Sequence, residues 1–182
     1  MRKIFLMVAA AAAMLATSFT ACKSNPPEPP NNIDIYVAGT DESGAEDAAK
    51  VWKNGKELYE LTDGSKDAGA FSVFVVGGDV YPAGYESNGS NNVAKVWKND
   101  KELYELTDGS KDAGANSVFV VGGDVYSAGY EYNGTNFVAK VWKNDKELYK
   151  LTDGSKNAYA NSLFVADDKV YTAGYDGKVA KL

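Results

Sequence analysis

The sequence has no histidine, and its only cysteine is Cys22. Arginine occurs once, at Arg2, and the three methionines all precede Cys22. Four of the five prolines fall between Pro26 and Pro30. Each absence removes a class of chemistry. Without histidine there is no Ser-His-Asp triad and no Cys-His pair. One cysteine can form neither a Cys/His zinc site nor an internal disulfide. The formal net charge is −6, with almost no arginine, which makes a poor partner for phosphate backbones and argues against nucleic acid. What remains is rich in tyrosine (12) and glycine (18). That composition suits many short strands joined by tight turns.

The N-terminus reads as a targeting segment. Met1-Arg2-Lys3 is positively charged, and residues 4–16 form an apolar run too short to span a bilayer comfortably. The following Thr20-Ala21-Cys22, with Phe19 where leucine is usual, resembles the lipobox of bacterial lipoprotein signals. The resemblance implies that residues 1–21 are removed and that Cys22 becomes the lipidated first residue, so that the protein meets the membrane through a lipid anchor. Two or more acyl chains hold a protein stably on a membrane. Lys23 stands where aspartate would signal inner-membrane retention, which leans toward the outer membrane or cell surface. Residues 22–32 then read as the lipidated cysteine and a stiff, proline-rich tether.

Residues 33–182 are a repeat with a period of 45. Trp52, Trp97 and Trp142 keep that step, as do Gly64, Gly109 and Gly154, and Tyr36, Tyr81, Tyr126 and Tyr171. Each period splits into four strand-like runs. In one copy these are Ser72 to Val76, Val80 to Glu86, Val93 to Lys98 and Lys101 to Leu106. The first run is continuously apolar, as in a strand buried on both faces. Gly77-Gly78 and Asn99-Asp100 suit tight hairpins. The polar stretch from Thr107 to Asn116 reads as a crossover bent at Gly109 and Gly114. Ala83 and Gly84 are small, as crowding near a central axis would require. Four short antiparallel strands and one longer crossover every 45 residues predict an all-β chain of propeller-type, four-stranded antiparallel blades. A linear β-meander or solenoid is the competing architecture. The repeats resemble those of surface lipoproteins with propeller folds found in Bacteroides-like bacteria, which implies architecture and says little about chemistry.

The strands present amount to about three blades, an incomplete ring or open arc, whereas rings normally hold four to eight. The chain is a truncated form of a longer propeller, or a homodimer completes a six-bladed ring, or the open arc is stable alone.

Candidate sites are sparse. Trp52, Trp97 and Trp142, with Tyr85, Tyr130 and Tyr175, present aromatic faces suited to a sugar ring; packing between blades accounts for the same residues. Asp63 and Asp67, and their copies Asp108 and Asp112, space oxygens as a calcium loop does but supply too few ligands, and Asp-Gly turns explain them equally. The acidic pairs Glu57/Glu60, Glu102/Glu105 and Asp79/Asp124 each recur by repetition, whereas acid–base catalysis needs two carboxyls in different environments. No cofactor is expected. The expectation is a binding or scaffold module for a glycan or a surface protein, with a carbohydrate-active enzyme on a propeller, or a fragment without independent activity, as alternatives.

Overall fold

The structure is a computed structural model and describes residues 33–181. Cys22, the signal segment and the tether lie outside the described residues. The described chain is all β. The first sheet has three strands, β1 (Tyr36–Asp41), β2 (Ala48–Lys53) and β3 (Lys56–Glu60). The second has four: β4 (Ala68–Val76), β5 (Asp79–Ser87), β6 (Asn92–Lys98) and β7 (Lys101–Glu105). The third repeats it in β8 (Ala113–Val121), β9 (Asp124–Tyr132), β10 (Phe137–Lys143) and β11 (Lys146–Lys150). The fourth has three, β12 (Ala158–Ala166), β13 (Lys169–Asp176) and β14 (Val179–Lys181). Every sheet is an antiparallel meander in sequence order.

Local chemistry sets the hairpins. Gly77 and Gly78 take φ of 63° and 89°, a turn that matches the twist of the strands it joins. Asn99 takes φ 57° and its side chain fastens two hairpins together. Its Oδ1 accepts from Val80 N–H at 3.0 Å, and its Nδ2 donates to Asp79 Oδ1 at 3.2 Å. Asn144 does the same with Val125 and Asp124, and Asn54 with Ile35 and Asp34. A short polar side chain that tolerates positive φ is the residue type this corner requires.

The first strands are longer than the apolar run predicts. β8 begins at Ala113, so the end of the expected crossover is strand, and Gly114 makes no bend there. Gly114 pairs across to Tyr130, whose ring lies over it; a Cβ on Gly114 would come within 2.9 Å of the phenol oxygen. Each first strand carries a bulge, at Phe71, Asn116 and Asn161, where the register with the second strand slips by one. Beside the bulge the second strand lies very close to the first, and Ala83 packs into the core between sheets. A Cβ on Gly84 would sit 1.9 Å from the carbonyl oxygen of Gly69, so the crowding arises within the sheet, on its own first strand. Gly129 and Gly174 repeat the approach.

The sheets stack face to face through their first strands. β4 packs on β1 and β2, β8 on β4, β5 and β6, and β12 on β8, β9 and β10. Three cores result, one per junction. Val51, Leu61, Ala70 and Trp97 fill the first; Val96, Leu106, Val118 and Trp142 the second; Val141, Ala160, Leu163 and Val165 the third. Neighbouring first strands are also tied directly: Val118 N–H donates to Ser72 Oγ at 3.2 Å and Leu163 N–H to Ser117 Oγ at 3.1 Å. Phe74, Phe119 and Phe164 form a ladder along them, with centroids 4.8 and 5.1 Å apart. Burial on both faces holds best for β8, which has a first strand on either side. β4 leaves Val75 exposed where β8 buries Val120, since the first sheet contributes no such strand beside it, and β12 leaves Phe164 exposed; Val76 and Val121, at the strand ends, are exposed alike.

Gly84→Ala is expected to destabilise the fold by at least about 2 kcal/mol, since backbone faces the new methyl. Gly77→Ala, in open space but at positive φ, should cost only about 1 kcal/mol. Urea denaturation of the two variants compares them; equal losses would remove the close approach as the cause.

Candidate functional site

The third strand of each repeat places a lysine on the face that also carries the tryptophan. Lys95, in the middle of β6, has a side chain only 9% exposed, and its Nζ reaches Glu102 at 2.6 Å, Glu86 at 2.8 Å and Glu105 at 3.3 Å. Lys50 repeats this with Glu57, Asp41 and Glu60, and Lys140 with Glu131 and Glu147. Burial works against the Lys95 ammonium, but hydrogen bonds to Glu102 and Glu86 outweigh it and hold its pKa above the ordinary 10.5. The pairs Glu57/Glu60 and Glu102/Glu105 are therefore spent on one ammonium each. Asp79 and Asp124 are bound by Lys98 and Lys143, each at 2.8 Å, and by Asn99 and Asn144.

The calcium candidates are likewise occupied by protein donors. Asp63 Oδ1 and Asp108 Oδ1 each accept the backbone N–H two residues on, at 2.9 Å, the Asx turn of an Asp-Gly corner. Asp67 Oδ2 accepts from the Tyr85 hydroxyl at 3.2 Å, and Asp112 Oδ1 accepts from Asn92 N–H at 2.9 Å. Among the described residues no group of three or more acidic or sulfur ligands converges on a point.

Trp97 and Trp142 are each 1% exposed, sealed in the first and second junctions. They have no ring face left for a ligand. Trp52 is half-buried and lies over Gly39 of its own sheet. At the third junction a cleft of about 230 Å³ is walled by Ala139, Leu151, Ala160, Tyr159 and Tyr175. Its three aliphatic members are the counterparts of Ala94, Leu106 and Ala115, which surround Trp142. The cleft thus repeats the packing scheme of the junction before it.

The tyrosine candidates behave differently. Tyr85 and Tyr130 each fold over the glycine opposite them, Gly69 and Gly114. At the matching place in the fourth sheet the partner of Tyr175 is Tyr159. The two rings meet at 5.1 Å with planes 31° apart, and Tyr175 stays 38% exposed. Tyr159 also meets Tyr130 at 4.8 Å and Phe137 at 5.1 Å; Phe137 meets Tyr130 at 5.2 Å and Tyr132 at 5.3 Å. Five aromatic rings are thereby gathered at one end of the third junction. Tyr132, Phe137 and Tyr159 were not picked out by their chemistry. They stand where the preceding copy has Ser87, Asn92 and Gly114. Their departure from the period was the available signal. Burial, then Asp112, raises the pKa of Tyr130; burial, then Tyr175, raises that of Tyr159. Both phenols therefore remain neutral hydrogen-bond donors at ordinary pH.

No protein-family model and no curated protein matches the chain.

Charge sets the pH response. Because the Lys95 pKa is raised, its contribution is complete below about pH 10.5 and is lost as pH climbs through the folded value. Asp79, Asp108 and Asp124 are held below 3.8, Asp79 and Asp124 chiefly by their lysines and Asp108 by Ser110, so their contribution is present above that pH and lost beneath it. Lys95→Met strands the glutamates beside an apolar chain, and should cost about 1–3 kcal/mol at pH 7. Thermal unfolding of the variant against wild type should show the deficit narrowing near pH 4, where glutamates take up protons; a deficit constant with pH would rule out the charge explanation.

Proposed function

We propose that this protein is an exported lipoprotein, anchored through Cys22 at the outer membrane or cell surface, whose 45-residue repeats form propeller-type blades that serve as a binding or scaffold module for a glycan or a surface protein. The observation that carries the scaffold reading is the way the junctions are built. Ser72 and Ser117 each accept one hydrogen bond from the next first strand, and the Phe74–Phe119–Phe164 ladder keeps those strands side by side. Sheets joined along their first strands fan outward from that line, which favours radial blades over a flat meander. The anchor rests on Thr20-Ala21-Cys22 and the apolar run before it.

The acidic side chains support binding rather than catalysis as the role. Among the described residues the acids around Lys50, Lys95 and Lys140 are each committed to an ammonium, in hubs that differ in having Asp41 at the place of Glu86 and Lys150 at that of Glu105. The two end faces suggest a further partner. Ile35 and half-buried Trp52 lie on the first sheet at the places of Val80 and Trp97, and Tyr171 and Phe164 on the fourth at those of Tyr81 and Phe74. A second copy stacked head to tail, as in the homodimer that completes a ring, would cover them with chemistry the internal junctions already use.

Two measurements test the reading. Cells fed an alkyne-palmitate should label the protein, and Cys22→Ala should abolish the label and move the protein to the soluble fraction; a labelled alanine variant would end the anchor assignment. Light scattering on the detergent-solubilised protein should give twice the chain mass and fall toward one chain in Trp52→Ser. A wild-type monomer would exclude the second copy.

A further inference from the structure

Near-identical copies make the exceptions informative. The second and third sheets share register, bulge, hubs and turns, so a ring that appears in only one of them is not required by the fold. At the junction of the second and third sheets, the end of the sheets bearing Tyr85 and Tyr130 carries Ser87, Asn92 and Gly114 around them. At the next junction the same three places hold Tyr132, Phe137 and Tyr159, and these join Tyr130 and Tyr175 in one cluster. Three substitutions separated in sequence have converged on one spot. None of the three is fully buried, so the rings have not been placed there to fill a core.

The polar surroundings narrow what the cluster would meet. Asn157 replaces the aspartate found at Asp67 and Asp112. Its Oδ1 accepts from Phe137 N–H at 2.9 Å, as Asp112 accepts from Asn92, and its amide adds N–H donors that a carboxylate lacks. Neutral phenols at Tyr130 and Tyr159 supply further donors and acceptors. Asp176 and Lys181 both line the cleft beside Tyr159 and Tyr175, and Glu131 is held by Lys140, so the surroundings carry balanced charge and suit a neutral ligand. Flat ring faces edged by phenols, an amide and carboxylates match a ring whose faces are C–H and whose rim is hydroxyl.

We propose that Tyr130, Tyr132, Phe137, Tyr159 and Tyr175 form a platform for a neutral oligosaccharide, with a pyranose stacked on Tyr175, the exposed member of the Tyr159–Tyr175 pair. This rests on the glycan-binding reading above and gives it a place. The repeat itself supplies the controls. Tyr132→Ser, Phe137→Asn and Tyr159→Gly restore residues that the preceding junction already accommodates, so the triple variant should fold and melt close to wild type.

The test is calorimetric titration of the full chain, purified in detergent, with cellohexaose, xylohexaose and mannohexaose, and with polygalacturonate as the anionic comparison. At least one neutral hexasaccharide should bind. Tyr159→Gly should weaken it roughly tenfold and the triple variant should remove it, with circular dichroism unchanged. A wild type that binds and a triple variant that binds equally well would overturn the platform while leaving glycan binding intact. A wild type that binds none of the three neutral sugars would overturn both, and tighter binding of polygalacturonate would overturn the platform's choice of neutral ligand.

Discussion

The structure depends on the packing of each first strand against the sheet before it. A meander of four short strands has two faces and too little mass to bury either alone. β8 shows the solution, lying across β4, β5 and β6 on one side and receiving β12 on the other. The bulge at Asn116 bends this strand, and Gly129 lets the second strand close on it. With any side chain at Gly129 the two strands could not approach, and the first strand would not present Ala115, Val118 and Val120 to the core of the preceding junction. Tryptophan then completes the seal, one indole for each of the first two junctions.

Charge is arranged to serve the same stacking. A third strand packed between two neighbours has little room for a lysine, yet Lys95 is nearly buried there. It is tolerated because three glutamates from two flanking strands surround its ammonium. Removing one member of such a set leaves the others without their partner, which is why the hub behaves as a unit. A protein this acidic uses its few well-placed cations to hold sheets in register, and the acidic pairs that invite comparison with hydrolase sites are the other half of that arrangement.

Function and scaffold separate along the line between what repeats and what does not. The hubs, the asparagine corners and the Asp-Gly turns recur and explain themselves through folding. The aromatic cluster at the third junction does not recur, and the fold in the preceding junction manages without it. Its rings lie on strand ends held by two rigid sheets, where small side chains would suffice for packing.

Much of this was readable from the residues in order. The 45-residue step, the glycine and asparagine corners and the strand count follow from local spacing, because turn chemistry and side-chain periodicity act over a few residues. That Trp97 and Trp142 are sealed while Trp52 is half-covered could not be read there, since identical words in the sequence meet different neighbours in space. Nor could the role of Gly84, which answers a carbonyl 15 positions earlier across a bulge. The platform was missed for the same reason. Tyr132, Phe137 and Tyr159 span 27 positions, and only the pairing of β9 with β10 and the stacking of β12 on both bring their rings within about 5 Å of one another. Sequence determined the unit and its repetition through local sterics; tertiary structure decided which copies of the same residue are buried and which exceptions meet, because both depend on what lies across the junction.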